Sequence, residues 1–468
     1  MANVISGLYS NIPSPAANTG IYYYATDTGV YWLADGDKWI QSTPDLDTSG
    51  TPVSYDGGLA VHVVNANTIP VGYPPTQLDA FGRLRISTPY TMFDSSYRYK
   101  DNGLWSTLTA SNGAATFNAN QGLVDLTVDS SSGSSVIRET TKVFSYQPGK
   151  SLLVLNTFVM APKATNLRQR VGYFGANNGY YFQQDDSTVS FVERTSVSGS
   201  LVENIITQAQ WNGDKLDGTG ASGLILDTTK AQIMWMDLEW LGVGTVRVGF
   251  VINGKFIVCH SFNHANLIAT TYITTASLPL RYEITNKAAT SGSSTLKQIC
   301  STVSSEGGYE LRGLQQSICT PITTAKTLTT AGTYYPAVSI RLKSTFPDAI
   351  AIISAISIIG KTSAYYNWQL VASGTTTGGT WTSAGTNSCV EYNLGGTSFT
   401  GGRILGSGYF GTTTQSRISV DILKDALFSN QLERDGLNGV YYEITLIIAA
   451  DTNSSNVYGS LDWEEISR

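Results

Sequence analysis

Apolar and polar positions alternate with a period of two through most of this chain, and that spacing predicts strands rather than helices. The alternation is cleanest in TVRVGFVINGKF, Thr245 to Phe256, where Val246, Val248, Phe250 and Ile252 are expected to face one way. Similar runs, among them SVIRETTKVFSY, SLLVLNTFVMA, QRVGYFG, GYYFQQDDSTVSFVERTS, AQIMWMDLEWLG and LPLRYEITN, follow at close spacing between residues 89 and 290, with turn signals between them. Roughly a dozen strands over that length predict a two-sheet jelly-roll sandwich.

Other stretches organise around this block. A Ser/Gly/Thr-rich joint and an irregular stretch, residues 291–320, read as a linker, after which SIRLKS, AIAIISAISIIG, YNWQLVAS, SCVEYNL, YYEITLIIAA and VYGSLDWEEIS predict a second β-sandwich over 321–468. Within it, Ile350 to Ile359 is apolar on both faces, as expected of a central or intersubunit strand. DILKDALFSNQLE carries apolar residues at helical spacing, so one helix is expected near Val420 to Glu433. At the other end, residues 1–45 contain an aromatic hairpin, IYYYATDTGVYWLADGDKWIQ, with ThrGly and AspGly at its turns. Its strip of Tyr22, Tyr24, Tyr31, Trp32 and Trp39 needs a partner surface in its own chain or in a neighbouring subunit. Residues 46–88, rich in Pro, Gly, Asp and Thr without periodicity, read as an extended arm. The whole is therefore expected to be all-β.

Composition narrows the class. Charged residues make up 14% of the 468, well under the usual quarter, and Gly, Ser, Thr, Asn and Tyr fill the gap, giving a neutral, hydrogen-bonding surface. The net charge of −6 is small and the Lys and Arg residues are scattered, so nucleic-acid binding is not expected. Cys259, Cys300, Cys319 and Cys389 lie far apart with no CxxC spacing and read as free, buried thiols. MANVISGLYS has neither a basic nor an apolar signal region, and the longest apolar run, Ala349 to Ile359, is too short to cross a bilayer, so membrane insertion is not expected.

Several clusters could carry chemistry. Asp237 and Glu239 alternate on one strand beside Trp235, as paired carboxylates of a sandwich-fold glycosidase would, but the full three-carboxylate pattern is absent and a structural or sugar-binding face is favoured over hydrolysis. Asp45, Asp47, Ser49, Gly50 and Asp56 match part of a calcium loop, yet Pro52 interrupts it and no helices flank it; an ordinary turn is the better reading. In CHSFNH, Cys259 and His260 are adjacent on a strand and face opposite sides, which spoils a metal site shared with His264. No cofactor is expected. Sugar recognition uses ring stacking with directional amide and carboxylate contacts, which makes Tyr180, Tyr181, Gln183, Gln184, Trp211, Asn212, Asp214 and Trp240 the candidate glycan-binding residues. Arg83 and Arg85, alternating after Gly82, read as intersubunit ion-pair donors.

The run QLDAFGRLRISTPYTMFDSSYRYKDN, Gln77 to Asn102, resembles a segment of tailed-bacteriophage, cyanophage-like virion structural proteins. The resemblance continues through QRVGYF at Gln169 to Phe174, QWNGDKLDGTG at Gln210 to Gly220, Leu238 to Phe256, LPLRYEI at Leu278 to Ile284 and CSTVSSEGGYE at Cys300 to Glu310. The strand order in this block is also similar to the concanavalin-like, legume-lectin sandwich. The resemblance implies a virion protein assembled in the host cytoplasm, a tail or baseplate appendage or fibre attached through the N-terminal hairpin and arm. It further implies other virion proteins as partners, a homo-oligomer with a trimer favoured, and contact with host surface glycans. The alternatives are a capsid-decorating or head-fibre protein and a polysaccharide depolymerase acting through Asp237 and Glu239.

Overall fold

The computed structural model describes residues 4–26, 30–41, 45–46, 52–53, 88–310, 312–412, 416–418 and 430–467. They fall in two compact units, Met1–Ile86 and Ser87–Arg468. The protein is all-β.

In the first unit, β1 (Val4–Gly7), β2 (Tyr22–Ala25), β3 (Val30–Ala34) and β4 (Trp39–Gln41) form one sheet in that order, with β1 parallel to β2 and the rest antiparallel. The expected hairpin is thus part of a four-stranded sheet. Its AspGly turn forms because the Asp35 carboxylate accepts the N–H groups of Asp37 and Lys38 at 3.0 and 2.8 Å, and Gly36 takes φ +104°. The aromatic strip is partly consumed within the unit. Tyr22 is buried, Tyr24 packs on Tyr31 at 4.6 Å, Trp32 on Tyr9 at 5.3 Å, and the Trp39 indole donates to the Pro13 carbonyl at 2.6 Å. Two short strands, β5 (Asp45–Leu46) and β6 (Pro52–Val53), pair antiparallel. The rest of the arm lies outside the described residues, with Arg83, Arg85 and the calcium-loop candidates Asp47, Ser49 and Asp56; of Asp45 only the backbone is described.

The second unit begins with a sandwich built from β7 (Pro89–Ser95), β8 (Trp105–Ala110), β9 (Ala114–Asn118), β10 (Leu123–Val128), β11 (Ser135–Thr140), β12 (Ser151–Val159), β13 (Leu167–Phe174), β14 (Gly179–Asp185), β15 (Thr188–Thr195), β16 (Val202–Thr207), β17 (Gln232–Leu238), β18 (Val246–Ile252), β19 (Lys255–Phe262), β20 (Leu280–Asn286) and β21 (Ser294–Glu306). One sheet runs β19-β18-β17-β12-β21-β10-β9 with β7 also on β21; the other runs β16-β15-β14-β13-β20-β11-β8. Inward positions of both sheets make one core in which Phe182 meets Phe158, Phe191 and Phe250 at 5.3–6.2 Å. Val246, Val248 and Phe250 point into it, as the alternation predicts.

The boundary of this domain differs from the expected one. β21 lies in the supposed 291–320 linker, yet it pairs with β12 along its length and with β10 and β7 on its other side, so the jelly roll continues to about residue 306. Its composition, SerThr-rich rather than apolar, hid a central strand.

The remaining strands are β22 (Leu314–Cys319), β23 (Lys326–Leu328), β24 (Tyr335–Leu342), β25 (Ile350–Gly360), β26 (Tyr365–Thr377), β27 (Thr382–Ser383), β28 (Val390–Asn393), β29 (Ser398–Gly411), β30 (Ser416–Ile418), β31 (Arg434–Asp435), β32 (Val440–Tyr441), β33 (Glu443–Ala450) and β34 (Ser455–Ser467). They form a second sandwich, β22-β34-β25-β30 with β23 on β34, facing β27-β28-β24-β33-β26-β29. β22 too falls inside the supposed linker. β25, expected to be central, lies between β34 and β30. The predicted helix lies mostly outside the described residues, and among its last positions Gln431 pairs as a β-bridge with Ile352.

The two sandwiches are welded by buried charge. Arg434 reaches Glu139 of the jelly roll at 2.9 Å and Asp348 of its own domain at 2.8 Å, and its N–H donates to the Thr141 carbonyl. Beside it Glu433 accepts from Thr141 at 3.1 Å and pairs with Lys142 at 3.6 Å, and Gln431 donates to the Val143 carbonyl at 3.0 Å. Val143, Ile350 and Ile352 add an apolar contact across the joint. Burying such charges is tolerable because each finds a partner.

Candidate functional site

Loops at one end of the jelly roll and a loop of the second sandwich enclose a cleft of about 380 Å³. Trp240 enters it from the tight turn after β17, where Val243 and Gly244 donate back to the Trp240 carbonyl and Gly242 takes φ +81°. Tyr146 stands edge-on to Trp240 at 6.0 Å and 77°. The segment Thr274 to Ser277 supplies hydroxyls. It is held by Asn178, whose amide donates to Thr274 Oγ1 at 2.7 Å, and by the buried Tyr173 hydroxyl, 2.7 Å from the Ala276 carbonyl. The opposite wall is Thr345 to Ala349, between β24 and β25, with Phe346 exposed and Asp348 held by Arg434. Burial raises the Tyr146 phenol above its ordinary value, so it stays neutral.

Of the glycan candidates, Trp240 alone lines this cleft. The others are corrected by burial and by committed partners. Tyr180 points into the jelly-roll core and donates to the buried Glu193, and Trp211 packs against Phe191 at 4.8 Å. Tyr181 and Gln183 lie on the outer face of the sheet, but a layer of arginines covers that face. Arg170 and Arg194 sit 5.0 and 5.1 Å from the Tyr181 ring centre, and Arg170 also donates to Gln183 at 2.7 Å. Glu203, accepting from Tyr181 and Arg194 at 2.7 Å each, neutralises part of that layer. Gln184 is buried and bonds to Ala161 and Thr228. Asn212 is exposed, but its amide is exchanged with the Ser261 backbone at 2.8 and 2.9 Å. Burial would raise the Asp214 carboxyl, but the N–H groups of Leu216 and Ser222 that it accepts in its own loop outweigh this and hold it below the ordinary value.

The carboxylate pair is also corrected. Asp237 is buried and takes both Ser151 and Arg247 as partners, whereas β17 ends at Leu238 and the exposed Glu239 accepts from the Thr245 N–H of its own turn. Neither is placed as a free acid beside the other. The thiols divide: Cys259 and Cys389 are buried, Cys300 is half-buried and Cys319 is exposed on β22. His260 accepts the Asn212 N–H at 3.2 Å, while His264 bonds Glu193 at 2.7 Å and the Gly244 carbonyl at 2.6 Å. Among the described residues no group of three His, Cys, Asp or Glu side chains is arranged to hold a metal.

Sequence reasoning missed Tyr146, Thr274, Thr275, Phe346 and Asp348. The available signals were the hydroxyl run in ITTASLPL and an aromatic ring inside the polar connection STFPDA, between two apolar strands.

No family model matches the chain, and no curated protein does. Solved structures with similar folds include a legume lectin-like domain from Entamoeba histolytica (11% identity over 46% of this chain and 97% of that one, TM-score 0.27). Another is arcelin-5, a lectin-like defence protein from Phaseolus vulgaris (12%, 47% and 100%, TM-score 0.27). A third is a glycoside hydrolase family protein from Mycobacterium thermorestibile (8%, 47% and 100%, TM-score 0.32). Assignment to the all-β sandwich class rests on the strand pairing above, not on these likenesses.

Proposed function

We propose that this chain is a structural component of a tailed-phage particle, a tail or baseplate appendage or fibre that contacts host surface glycans. The observation that carries the glycan part is the cleft between the sandwiches, where Trp240 and Phe346 are set among hydroxyl side chains and one carboxylate. The virion part is supported by the sequence resemblance between Gln77 and Glu310 and by a low-charge, hydrogen-bonding surface. The buried ion pairs at Arg434 and Glu433 suit a rigid particle component, since they join the two sandwiches. Self-association is supported by the outer face of β26 and β29, where Tyr365, Ile404 and Tyr409 are exposed.

Cryo-electron microscopy of intact particles tests the proposal. Copies at the tail or baseplate are expected. Copies spread across the capsid lattice would make the chain a decoration protein, and absence of the chain from purified particles by mass spectrometry would refute a virion role altogether.

A further inference from the structure

We infer that the inter-sandwich cleft accepts a neutral glycan, one or two sugar residues deep, and rejects acidic ones. This rests on the glycan-contact reading above and adds the substrate class. The volume of about 380 Å³ lies at the lower end of ligand-pocket sizes, which fits one or two pyranose rings and no more. Pyranose rings present an apolar C–H face that stacks on an aromatic ring, and the cleft offers rings on both walls: Trp240 and Tyr146 on the jelly-roll side and Phe346 on the other. Trp240 packs edge-to-face with Tyr146 at 6.0 Å, which restricts its rotation before a ligand arrives. Hydroxyls of Thr274, Thr275 and Thr345 provide the directional contacts that ring hydroxyls require.

Charge decides between glycan classes. Among the lining residues the one charged side chain is Asp348, whose carboxylate remains 38% exposed. A uronate or sialate entering the cleft would find no Lys or Arg among the described lining residues to pair with. The nearby cations turn their donors away from the cleft: Arg434 is buried between Asp348 and Glu139, and Lys343, 6.0 Å from the Phe346 ring, donates to the carbonyls of Gly385 and Ser388. A neutral sugar meets no such penalty, and its hydroxyls can donate to Asp348.

The test is calorimetric titration of the full chain with neutral hexose and N-acetylhexosamine disaccharides, alongside disaccharides containing uronate or sialate. At least one neutral disaccharide should bind, at least tenfold more tightly than any acidic one, and Trp240→Ala should weaken it at least tenfold. Thr275→Trp, which fills the cleft from a loop at the expense of the bond from the Ser277 N–H to the Thr275 hydroxyl, should abolish binding while the circular dichroism spectrum stays that of the folded chain; it keeps the test decisive if Trp240→Ala misfolds. Tighter binding of acidic glycans would overturn the substrate class while leaving the glycan-contact reading standing. Neutral binding that survives Thr275→Trp would overturn the site. No binding across the whole panel would remove both the inference and the glycan part of the proposed function.

Discussion

Arg434→Met removes the guanidinium that joins the two sandwiches, and its cost can be worked from the partners it leaves behind. Arg434 is 7% exposed and Glu139 4%, so their pair sits away from water. Deleting one member of such a pair typically costs about 3–5 kcal/mol, because the other is left charged and undersolvated. Two features move this case to the lower end. Glu139 keeps Arg281 at 3.1 Å, and Asp348, more exposed, can be rehydrated by a side-chain rotation. A loss of about 3 kcal/mol is therefore expected, equivalent to roughly 6–12 °C in the melting temperature of a sandwich this size. Scanning calorimetry should show it, and the transitions of the two sandwiches should separate as the joint weakens. The double variant Arg434→Met, Glu139→Leu should regain at least half of the loss, since the orphaned carboxylate is gone while Arg281 retains Glu283 at 2.6 Å. A single-variant loss under about 1 kcal/mol, or a double variant no better than the single one, would refute the argument that buried charge pairing holds the joint.

Stability should also peak between pH values near the ordinary pKa of a carboxylate and of imidazole. Burial alone would lower His264, but the Glu193 hydrogen bond, the Gly244 carbonyl and the Glu193 charge outweigh it, so its pKa is raised; its contribution is full below its unfolded value and fades as pH rises through the folded one. Burial would raise Glu193, but its bonds to His264 and Tyr180 prevail and its pKa is lowered, so its contribution is full above its unfolded value and fades as pH falls through the folded one. Urea midpoints measured across pH should show both shoulders, and His264→Gln should flatten the upper one. Gly249→Ala at the β18–β19 bulge would place a methyl 1.9 Å from the Ile257 carbonyl oxygen and should cost about 2–3 kcal/mol in urea unfolding. Phe182→Ala, emptying the centre of the jelly-roll aromatic cluster, should cost about 3–5 kcal/mol by the same measurement; unchanged midpoints in either variant would contradict the packing described.

The parts of this fold that sequence reveals are those where one face of a strand is buried by its own sheet's partner. In Thr245 to Phe256 the period of two reports the core directly, and Val246, Val248 and Phe250 are buried as it predicts. The reading fails where both faces are covered. Tyr180 and Tyr181 are neighbours on β14, facing opposite ways, and both are buried: one by the opposing sheet, the other by Arg170 and Arg194 laid over the ring. Arginines drawn from β13 and β15 are invisible to any local window, because they arrive through strand pairing. β21 was hidden for the converse reason: Ser294 to Glu306 has few apolar residues, and its place at the centre of a sheet follows from pairing with β12, β10 and β7.

The candidate site is the extreme case of this non-locality. Its walls come from Tyr146, Trp240, Thr274 to Ser277 and Thr345 to Ala349, four segments spread over about two hundred residues and two domains. No spacing rule links them. What brings them together is the set of buried ion pairs that closes the joint, so Arg434 does at once what two observations separately require: it satisfies Glu139 in the interior and holds Asp348 at the cleft wall. If the cleft binds a ligand, that same contact couples binding to the geometry of the joint, because a ligand held by both walls favours only the closed arrangement. A bound disaccharide should then raise the melting temperature of wild type, and its affinity should fall in Arg434→Met even though Arg434 does not line the cleft. Unaltered affinity in that variant would mean that the walls keep their spacing without the ion pairs, and that joint and cleft are independent.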